Sequence, residues 1–398
     1  MAMLRLALAS QVLQPGLADE EGNAAVQPGF IEGEPGFTDE EDGVLSDTDY
    51  ELRIKAEAED GMLSVAGFVE NLGPVEHEER LTLMKASFGI PSEPQHHHEF
   101  DFLPECTRDQ RHVGDRVWHG YYHMSELLET DLPAMRYTQC NDLSIGQQCY
   151  HDPTPILQIF NMKVQTCLVD MTGPVEVYGI FAVRDDEDYC RNYLFNRSRE
   201  NPLDISLTGG YLRLLNPRRG MSMQFNCLIE VDIRVKAMGD DDTEDKTLAD
   251  GCMQLIEDQV NFEMLCKCTM SGPYGSVAFD YNIFRFGFEA TIELVFLEVP
   301  EGGFNMQLCG YTTVQKNYYA FLDKNCDCDS FISSTGRFPQ YFVAAVQMDD
   351  YFLVDFVEGK SPLIFKPAIH GSEEKEYSFH NGALVSVKVS WSTAFYVT

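Results

Sequence analysis

The chain is poor in basic side chains. Its 398 residues include 29 Lys and Arg against 64 Asp and Glu, which gives a formal net charge of −35 at pH 7. A surface with this excess of negative charge repels phosphate backbones and anionic lipid headgroups. We therefore expect neither direct nucleic-acid binding nor membrane binding. The charge instead favours a protein partner, and one of basic character.

Long hydrophobic runs are also lacking. The most apolar stretch, 341–357, is interrupted by Gln347, Asp349 and Asp350, and it falls short of the roughly 20 apolar residues that a membrane-spanning helix needs. The first residues, MAMLRLALASQVLQPG, have a broken apolar run without a clear small-residue cleavage site. These features predict an intracellular protein, cytoplasmic or nuclear. Its 12 Cys are then expected to be reduced thiols rather than a disulfide framework.

Recognisable catalytic and cofactor motifs are the third absence. The sequence has no Gly-rich phosphate loop, no G-x-S-x-G elbow and no dinucleotide fingerprint. The metal-like patterns that remain all lack the usual spacing of zinc sites: His96-His97-His98, His119-x-x-x-His123 with Glu126, Cys266-x-Cys268 and Cys326-x-Cys328. We predict no bound metal, no cofactor and no catalytic residue.

Alternating apolar and polar residues are what the sequence does contain. In CLIEVDIRV (227–235), Ile229, Val231 and Ile233 share one face of a strand, while Glu230 and Asp232 share the other. We expect the first face to be packed and the second to be wet. Similar runs recur up to Val397 with Gly and Pro turns between them and without long helical periodicity. This pattern predicts an all-β fold of mainly antiparallel sandwich or barrel-like sheets, with few short helices.

Changes in composition divide the chain. Residues 1–100 contain 5 basic and 21 acidic side chains, and the front of this region also mixes in Gly, Pro and Ser. We predict that 1–75 is a disordered acidic tail and that 76–150 is a partly helical, irregular lead-in. A first β-sheet subdomain is predicted at 151–238 and a second at 261–398. The segment 239–260, which begins with GDDDTEDK, is the predicted charged linker between them.

Six sequence blocks follow one another in a distinctive order. They are PAMRYT (133–138), LQIFNMKVQ (157–165), VEVYGIFAVRDDEDYCRNYLFNR (175–197), LLNPRRG (214–220), IEVDIRVK (229–236) and FEATIELVFLE (288–298). In order and spacing they resemble a domain of unknown function found in many grass proteins, over about residues 110 to 397. In some grass proteins that domain follows a ribosome-inactivating N-glycosylase domain linked to stress or defence. The resemblance implies no assigned catalytic residues.

The glycosylase activity itself is not implied for this chain. That enzyme should carry a helical Glu-Ala-x-Arg motif, whereas Glu289-Ala290 is followed here by Thr291 and Ile292 in a strand-like run. The acidic front segment is also too short and too polar to be the glycosylase domain.

The candidate binding residues lie in two polar blocks of the resemblance. They are Arg184, Asp185, Asp186, Asp188, Arg191, Arg218 and Arg219. Exposed Arg at a turn is suited to gripping carboxylate or phosphate, and the alternative is that these arginines form salt bridges with the neighbouring carboxylates. If the acidic loops at 185–188 and 240–242 meet at one end of a sandwich, they could also hold calcium.

Taken together, these features favour a non-catalytic β-rich interaction or binding module in a plant stress or defence setting. Two alternatives stay open. One is an enzyme, either a diverged ribosomal RNA N-glycosylase or a metal-dependent hydrolase that uses the His119 and His123 region. The other is a calcium-responsive binding domain.

Overall fold

Strands account for nearly all of the regular structure. The structure is a computed structural model, which describes residues 98–102, 122–123, 127–134, 152–168, 173–239, 241–315, 317–322, 330–358, 360–369 and 371–393. All of these lie within one unit, Tyr50–Thr398. The predicted tail, 1–75, and most of the predicted lead-in, 76–150, fall outside the described residues.

The strands are numbered in chain order. They are β1 (His98–Phe102), β2 (Thr154–Thr166), β3 (Val175–Arg184), β4 (Asn192–Arg197), β5 (Leu203–Ile205), β6 (Gly209–Leu212), β7 (Met221–Ser222), β8 (Asn226–Val235), β9 (Lys246–Ile256), β10 (Cys266–Gly272), β11 (Gly275–Glu298), β12 (Phe304–Asn305), β13 (Leu308–Thr312), β14 (Tyr318–Leu322), β15 (Phe331–Ile332), β16 (Gly336–Arg337), β17 (Phe342–Gln347), β18 (Phe352–Asp355), β19 (Leu363–Phe365), β20 (Gly371–Ser378) and β21 (Leu384–Ser392). Within the described ranges the helical structure is limited to the 3-10 turn Glu257–Gln259 and to Ser330, which also has 3-10 conformation. No helix in that part of the chain has the length and hydropathy to span a bilayer.

The prediction of an all-β fold with mainly antiparallel sheets is confirmed. Ten strands form one sheet, which contains the path β1-β10-β11-β2-β6, and its one parallel pair is β1 with β10. A five-stranded sheet follows the order β4-β3-β8-β9, with β5 beside β3. A four-stranded sheet follows the order β14-β13-β18-β19, and β12 pairs with β15.

The long strand β11 runs through both halves of the protein. Its first half pairs with β10 and β2, and its second half pairs with β17, β16 and β21. The pairing with β2 shifts register between Phe284 and Gly287, where Arg285 and Phe286 are exposed. Each half of β11 therefore faces its own set of partner strands.

Two hydrophobic cores lie along β11. The first contains side chains of its N-terminal half together with β2, β3, β8 and β9, and the rings of Phe181 and Phe279 meet there at 5.0 Å. The second contains side chains of its C-terminal half together with β17, β18 and β21, and the rings of Phe352 and Trp391 meet there at 6.4 Å. Removal of this apolar surface from water is the main stabilising term in both cores.

The predicted linker differs from the structure. Residues 246–256 of that segment form β9, which pairs with β8 from Asn226 opposite Ile256 to Val235 opposite Lys246. The acidic residues at 241–245 belong to the hairpin connection, and Asp245 there forms an ion pair with Arg199 at 2.8 Å. In addition, β2 pairs with β11, so strands from before and after 239–260 share one sheet. A run of charge signals a turn in the sequence, but it does not reveal which strands pair across that turn.

The polar face of β8 also differs from the expectation. Its apolar residues Ile229, Val231 and Ile233 lie in the first core as predicted. The opposite face is not wet, because Glu230 is 2% exposed and Arg234 is 7% exposed. Buried charges on a central strand need partners of opposite sign, and these partners define the candidate site.

Candidate functional site

A short segment of the chain connects the two halves of the protein. This clasp segment, residues 213–220, joins β6 to β7 and contains the NPRRG block. The backbone N–H of Leu215 donates to the carbonyl oxygen of Leu194 in β4, at 2.6 Å. The side-chain oxygen of Asn216 accepts from the N–H of Val343 in β17, at 2.8 Å. The clasp segment thus contacts strands of both halves.

The end of the clasp segment reaches β11 itself. The N–H of Gly220 donates to Oε2 of Glu289 at 2.6 Å, and the hydroxyl of Thr291 donates to Oε1 of the same carboxylate at 2.8 Å. Both Glu289 and Thr291 are fully buried. These bonds satisfy a carboxylate that would otherwise be costly to bury.

Arg219 anchors the clasp segment to the loop after β3. Its guanidinium donates two hydrogen bonds to Asp185, at 2.6 and 2.7 Å, and a third to Asp188 at 3.1 Å. Arg219 is fully buried and Asp185 is 1% exposed. The N–H of Ser222 adds a further bond to Asp185 at 2.8 Å. Bidentate pairing of this type combines charge attraction with fixed geometry.

Asn192 holds the backbone on either side of Arg219. Its amide nitrogen donates to the carbonyl oxygen of Arg219 at 2.8 Å, and its amide oxygen accepts from the N–H of Arg218 at 3.0 Å. Arg219 is therefore directed inward by its own backbone as well as by the carboxylates. Arg218 points the other way, with a side chain that is 43% exposed and lies 4.0 Å from Asp131.

A second ion-pair cluster lies on the polar face of β8. Glu230 accepts from Nε of Arg184 at 2.5 Å and from Nε of Arg191 at 2.7 Å. Arg184 also donates to the carbonyl oxygens of Tyr189, at 2.8 Å, and Tyr122, at 3.3 Å. One carboxylate thus forms ion pairs with two arginines, one from either side of the same loop.

The structure brings six of the seven candidate residues together. Arg184, Asp185, Arg191 and Arg219 are buried, and they pair within the two clusters. Asp186 and Asp188 lie in the same loop and are partly exposed, whereas Arg218 faces away. This geometry supports the salt-bridging alternative, and a binding role for these residues stays a prediction.

Sequence reasoning missed the residues that complete the clusters. Glu230 lies between Ile229 and Val231, Glu289 lies between Phe288 and Ala290, and Asn192 begins β4. A carboxylate with apolar neighbours on both sides in a strand is the available signal, because burying such a group requires a cation or several donors.

Two further carboxylates of the loop are affected by this crowding. Burial and the nearby charge of Asp185 raise the pKa of Glu187 to about 7. Burial and Asp185 also raise the pKa of Asp186 above its usual range. The loop therefore contains carboxyl groups that take up protons more readily in the folded state than in the unfolded state.

This shift predicts how stability changes with pH. An unfolded Glu187 loses its proton near pH 4.5, while the folded one keeps it up to about pH 7. The folded state binds more protons in that window, so stability is lost as the pH rises through it. We expect the free energy of unfolding to fall by about 1–2 kcal/mol between pH 5 and pH 8 on account of Glu187, a value reduced because solvent screens this partly exposed group.

Urea unfolding at a series of pH values measures this effect. Glu187→Gln should remove the part of the fall in the free energy of unfolding that Glu187 causes between pH 5 and pH 8. The variant should therefore be more stable than the wild type at pH 8. Glu244→Gln, at an exposed acidic position, is the control for loss of one negative charge. An identical pH profile for the wild type and Glu187→Gln would contradict the prediction.

The two acidic loops considered for calcium lie at opposite ends of the five-stranded sheet. Arg184 is opposite Leu228 at the start of β8, and Val177 is opposite Val235 at its end. The loop 185–188 follows the first pair, and the loop 241–245 follows the second. Seven residues of strand separate them by about 23 Å, so they do not form a joint site. Asp240 is outside the described residues.

The other metal patterns are largely outside the described residues as well. His96, His97, His119, Glu126, Cys326 and Cys328 are not described, and neither is the side chain of His98. His123 stacks on the ring of Tyr189 with centroids 5.7 Å apart. Cys266 and Cys268 are buried in β10. Across the ranges that the structure covers, no three His, Cys, Asp or Glu side chains are placed to hold a metal ion.

Fold and site together define an all-β protein with two cores, in which the clasp segment is anchored by buried ion pairs to the loop after β3 and is hydrogen-bonded to strands of the other half. The family described as "Domain of unknown function (DUF6598)" matches residues 156–389, which is more than half of the chain. The chain belongs to this family. The resemblance to a domain of unknown function is thereby confirmed, with five of the six blocks inside the matched range and PAMRYT (133–138) before it. The link to grasses stays a prediction.

Comparison with other proteins adds little. The chain matches no curated protein. Among solved structures it is similar to human GIVD cytosolic phospholipase A2 in complex with methyl gamma-linolenyl fluorophosphonate, at 10% identity and a TM-score of 0.23, over 61% of this chain and 33% of that one. A second structure of human GIVD cytosolic phospholipase A2 is similar at 11% identity and a TM-score of 0.22, over 61% of this chain and 30% of that one. The chain therefore spans about one third of the length of these structures.

Proposed function

We propose that this protein is a non-catalytic, β-rich binding module that engages a basic protein partner through its acidic surface. The observation that carries the proposal is that the arginines of the polar clusters are buried and form ion pairs within the chain. Arg184, Arg191 and Arg219 are buried and paired with carboxylates of the same chain. They hold the scaffold together, and this leaves the exposed charges as the means of recognition.

The exposed charges of the described residues are mainly acidic. Exposed carboxylates lie on loops and strands of both halves: Glu176, Asp204, Asp241, Asp242, Glu244, Glu298, Glu301, Glu373, Glu374 and Glu376. They agree in sign with the net charge of −35 for the whole chain. Complementary charge speeds encounter with a basic partner and suppresses acidic ones.

The setting that we propose is a plant stress or defence response inside the cell, in the cytoplasm or nucleus. Its support is the resemblance to a domain of grass proteins, in some of which a ribosome-inactivating domain precedes it. No direct contact with nucleic acid is proposed, since the charge opposes it.

Affinity capture tests the proposal. The full chain is immobilised and exposed to an extract of stressed grass leaves, and an unrelated folded acidic protein of matched charge density serves as the control. We expect basic proteins that are retained by the chain and not by the control. Each purified partner should then bind saturably and more weakly as salt rises, because salt screens exposed charges.

Two results would overturn the proposal. One is a set of captured proteins that does not differ from that of the acidic control, since charge alone would then explain retention. The other is depurination of ribosomal RNA by the purified chain, which would establish the enzymatic alternative.

A further inference from the structure

Strand β20 forms an outer edge of the ten-stranded sheet. It pairs with β21 along its whole length, from Gly371 opposite Trp391 to Ser378 opposite Leu384. No other strand in the part of the chain that the structure describes pairs with it. The second edge of β20 is therefore not used by any described strand.

The hairpin identifies the residues of β20 that point to this second edge. The N–H of Phe379 donates to the carbonyl oxygen of Ala383 at 2.8 Å, so the backbone of Phe379 is turned toward β21. Successive residues of an antiparallel strand turn their N–H and C=O groups to opposite sides. Ser372, Glu374, Glu376 and Ser378 therefore present their backbone groups at the second edge. Lys360 already donates to the carbonyl oxygen of Ser378, so the open part of this edge is 372–376.

The strand is held in place from one side. Tyr377 is 3% exposed, and its ring lies 4.6 Å from that of Phe356 in the second core. Lys375 donates to the carbonyl oxygen of Ile364, and its ammonium lies 5.0 Å from the centre of the Phe365 ring. An edge that is already ordered loses little conformational freedom when a partner binds to it.

The free part of β20 is acidic. Glu373, Glu374 and Glu376 are exposed. Lys375, the one cation of the strand, makes the contacts just described and also forms an ion pair with Glu373 at 3.0 Å, so Glu374 and Glu376 are the carboxylates that it does not pair with. The hydroxyl of Ser386 donates to Glu374 and orients that carboxylate on the outer face. The same residues thus offer unused backbone groups and negative side chains.

We propose that β20 binds an extended basic segment of a protein partner as an additional antiparallel strand. This inference rests on the proposed function and names the surface and the chemistry of the partner. Lys or Arg side chains of the added strand lie opposite Glu374 and Glu376. The backbone hydrogen bonds give affinity and the alternating cations give selectivity.

Charge favours this occupant over two others, a second copy of the chain and the N-terminal region of the chain itself. A second copy of the chain paired edge to edge would place glutamates close to glutamates, which destabilises a sheet and is a common protection against self-association. The front of this chain has the same sign, with 5 basic and 21 acidic side chains in residues 1–100. A basic segment of another protein is the occupant that the edge fits.

Fluorescence anisotropy with a labelled peptide of alternating Lys and Thr tests the proposal on the full chain. The edge variant Glu374→Lys/Glu376→Lys reverses two charges on β20. The matched control Glu244→Lys/Glu301→Lys makes the same change at exposed positions outside the strands. We expect about tenfold weaker binding for the edge variant and less than about a twofold change for the control. Thermal unfolding confirms that both variants stay folded.

Backbone pairing is tested with methylated peptides. In an antiparallel ladder the residue opposite Glu374 also turns its backbone N–H toward β20, so methylation of the backbone amide nitrogens of the lysine residues should abolish binding. Methylation of the backbone amide nitrogens of the threonine residues should leave binding intact. Hydrogen exchange should slow at 371–378 when the unmodified peptide binds.

Three results would overturn the proposal. They are equal weakening by the edge variant and the control, unchanged binding of the lysine-methylated peptide, and no binding of the unmodified peptide by the wild-type chain. In each case the capture experiment decides independently whether the protein binds basic partners by another surface.

Discussion

Replacing Arg219 by alanine should lower the free energy of unfolding by about 3–5 kcal/mol, because it leaves the buried carboxylate of Asp185 without its cation. Asp185 is 1% exposed and receives two of its hydrogen bonds from the guanidinium of Arg219. The loss would also free the end of the clasp segment, which contacts Glu289 through Gly220. Urea unfolding followed by circular dichroism measures the change as a lower midpoint concentration.

The neighbouring arginine provides a matched control. Arg218→Ala removes the same number of atoms and the same charge one position away, but this side chain is 43% exposed and lies 4.0 Å from Asp131. We expect it to change stability by no more than about 0.5 kcal/mol. Arg219→Lys should fall between the two, since it keeps the charge but not the bidentate geometry. Equal losses for Arg218→Ala and Arg219→Ala would contradict the role assigned to the inner arginine.

Gly179→Ala is the second substitution expected to have a large effect. Gly179 lies in β3 with φ of +127°, a conformation that side chains of L residues rarely adopt. A Cβ atom there would overlap the carbonyl oxygen of Asp232 in the adjacent strand β8. Strand β3 is bounded by β4 on one side and β8 on the other, so it cannot shift away. We expect a loss of about 3 kcal/mol from strain and overlap together.

The control for this substitution is Gly210→Ala. A Cβ atom at Gly210 meets no other atom within 4 Å, and its backbone is not in the left-handed region. Its effect should stay within about 0.5 kcal/mol, and a small gain is expected because alanine reduces the freedom of the unfolded chain. Thermal and urea unfolding of the pair separate a backbone requirement at Gly179 from a general sensitivity to alanine. Similar stability of the two variants would contradict the backbone requirement at Gly179.

The alternation of apolar and polar residues allowed the strand class to be predicted, but it did not determine which polar faces are buried. In β8 the apolar residues are in the core, as their period of two requires. The burial of Glu230 depends on Arg184 and Arg191, which come from the end of β3 and the loop that follows it. No local pattern reports a contact between residues that lie 39 and 46 positions apart.

Only part of the candidate site, the residues of the two polar blocks, could be singled out from the sequence, and their arrangement could not. The two polar blocks were recognised from their sequence, and the structure places Asp185 of one block against Arg219 of the other. That Arg218 faces outward and Arg219 inward follows from the hydrogen bonds of Asn192, which adjacent identical residues cannot reveal. Residues 246–256 form a strand because they pair with β8 across a hairpin, and the charge of the segment does not report that pairing.

The position of β11 has a consequence for how the chain folds. Its partner β2 lies more than a hundred residues earlier, since Val164 pairs with Val277, and its partner β21 lies about as far ahead, since Ile292 pairs with Val389. Contacts between distant residues make folding slow, because the loops between them must close before the contacts form. During synthesis β2 cannot pair with β11 until the first half of β11 has been made. The second half of β11 cannot pair with β21 until that strand, the last one described, has been made. Neither core is completed early, and any fragment that ends before β21 leaves apolar surface of β11 uncovered.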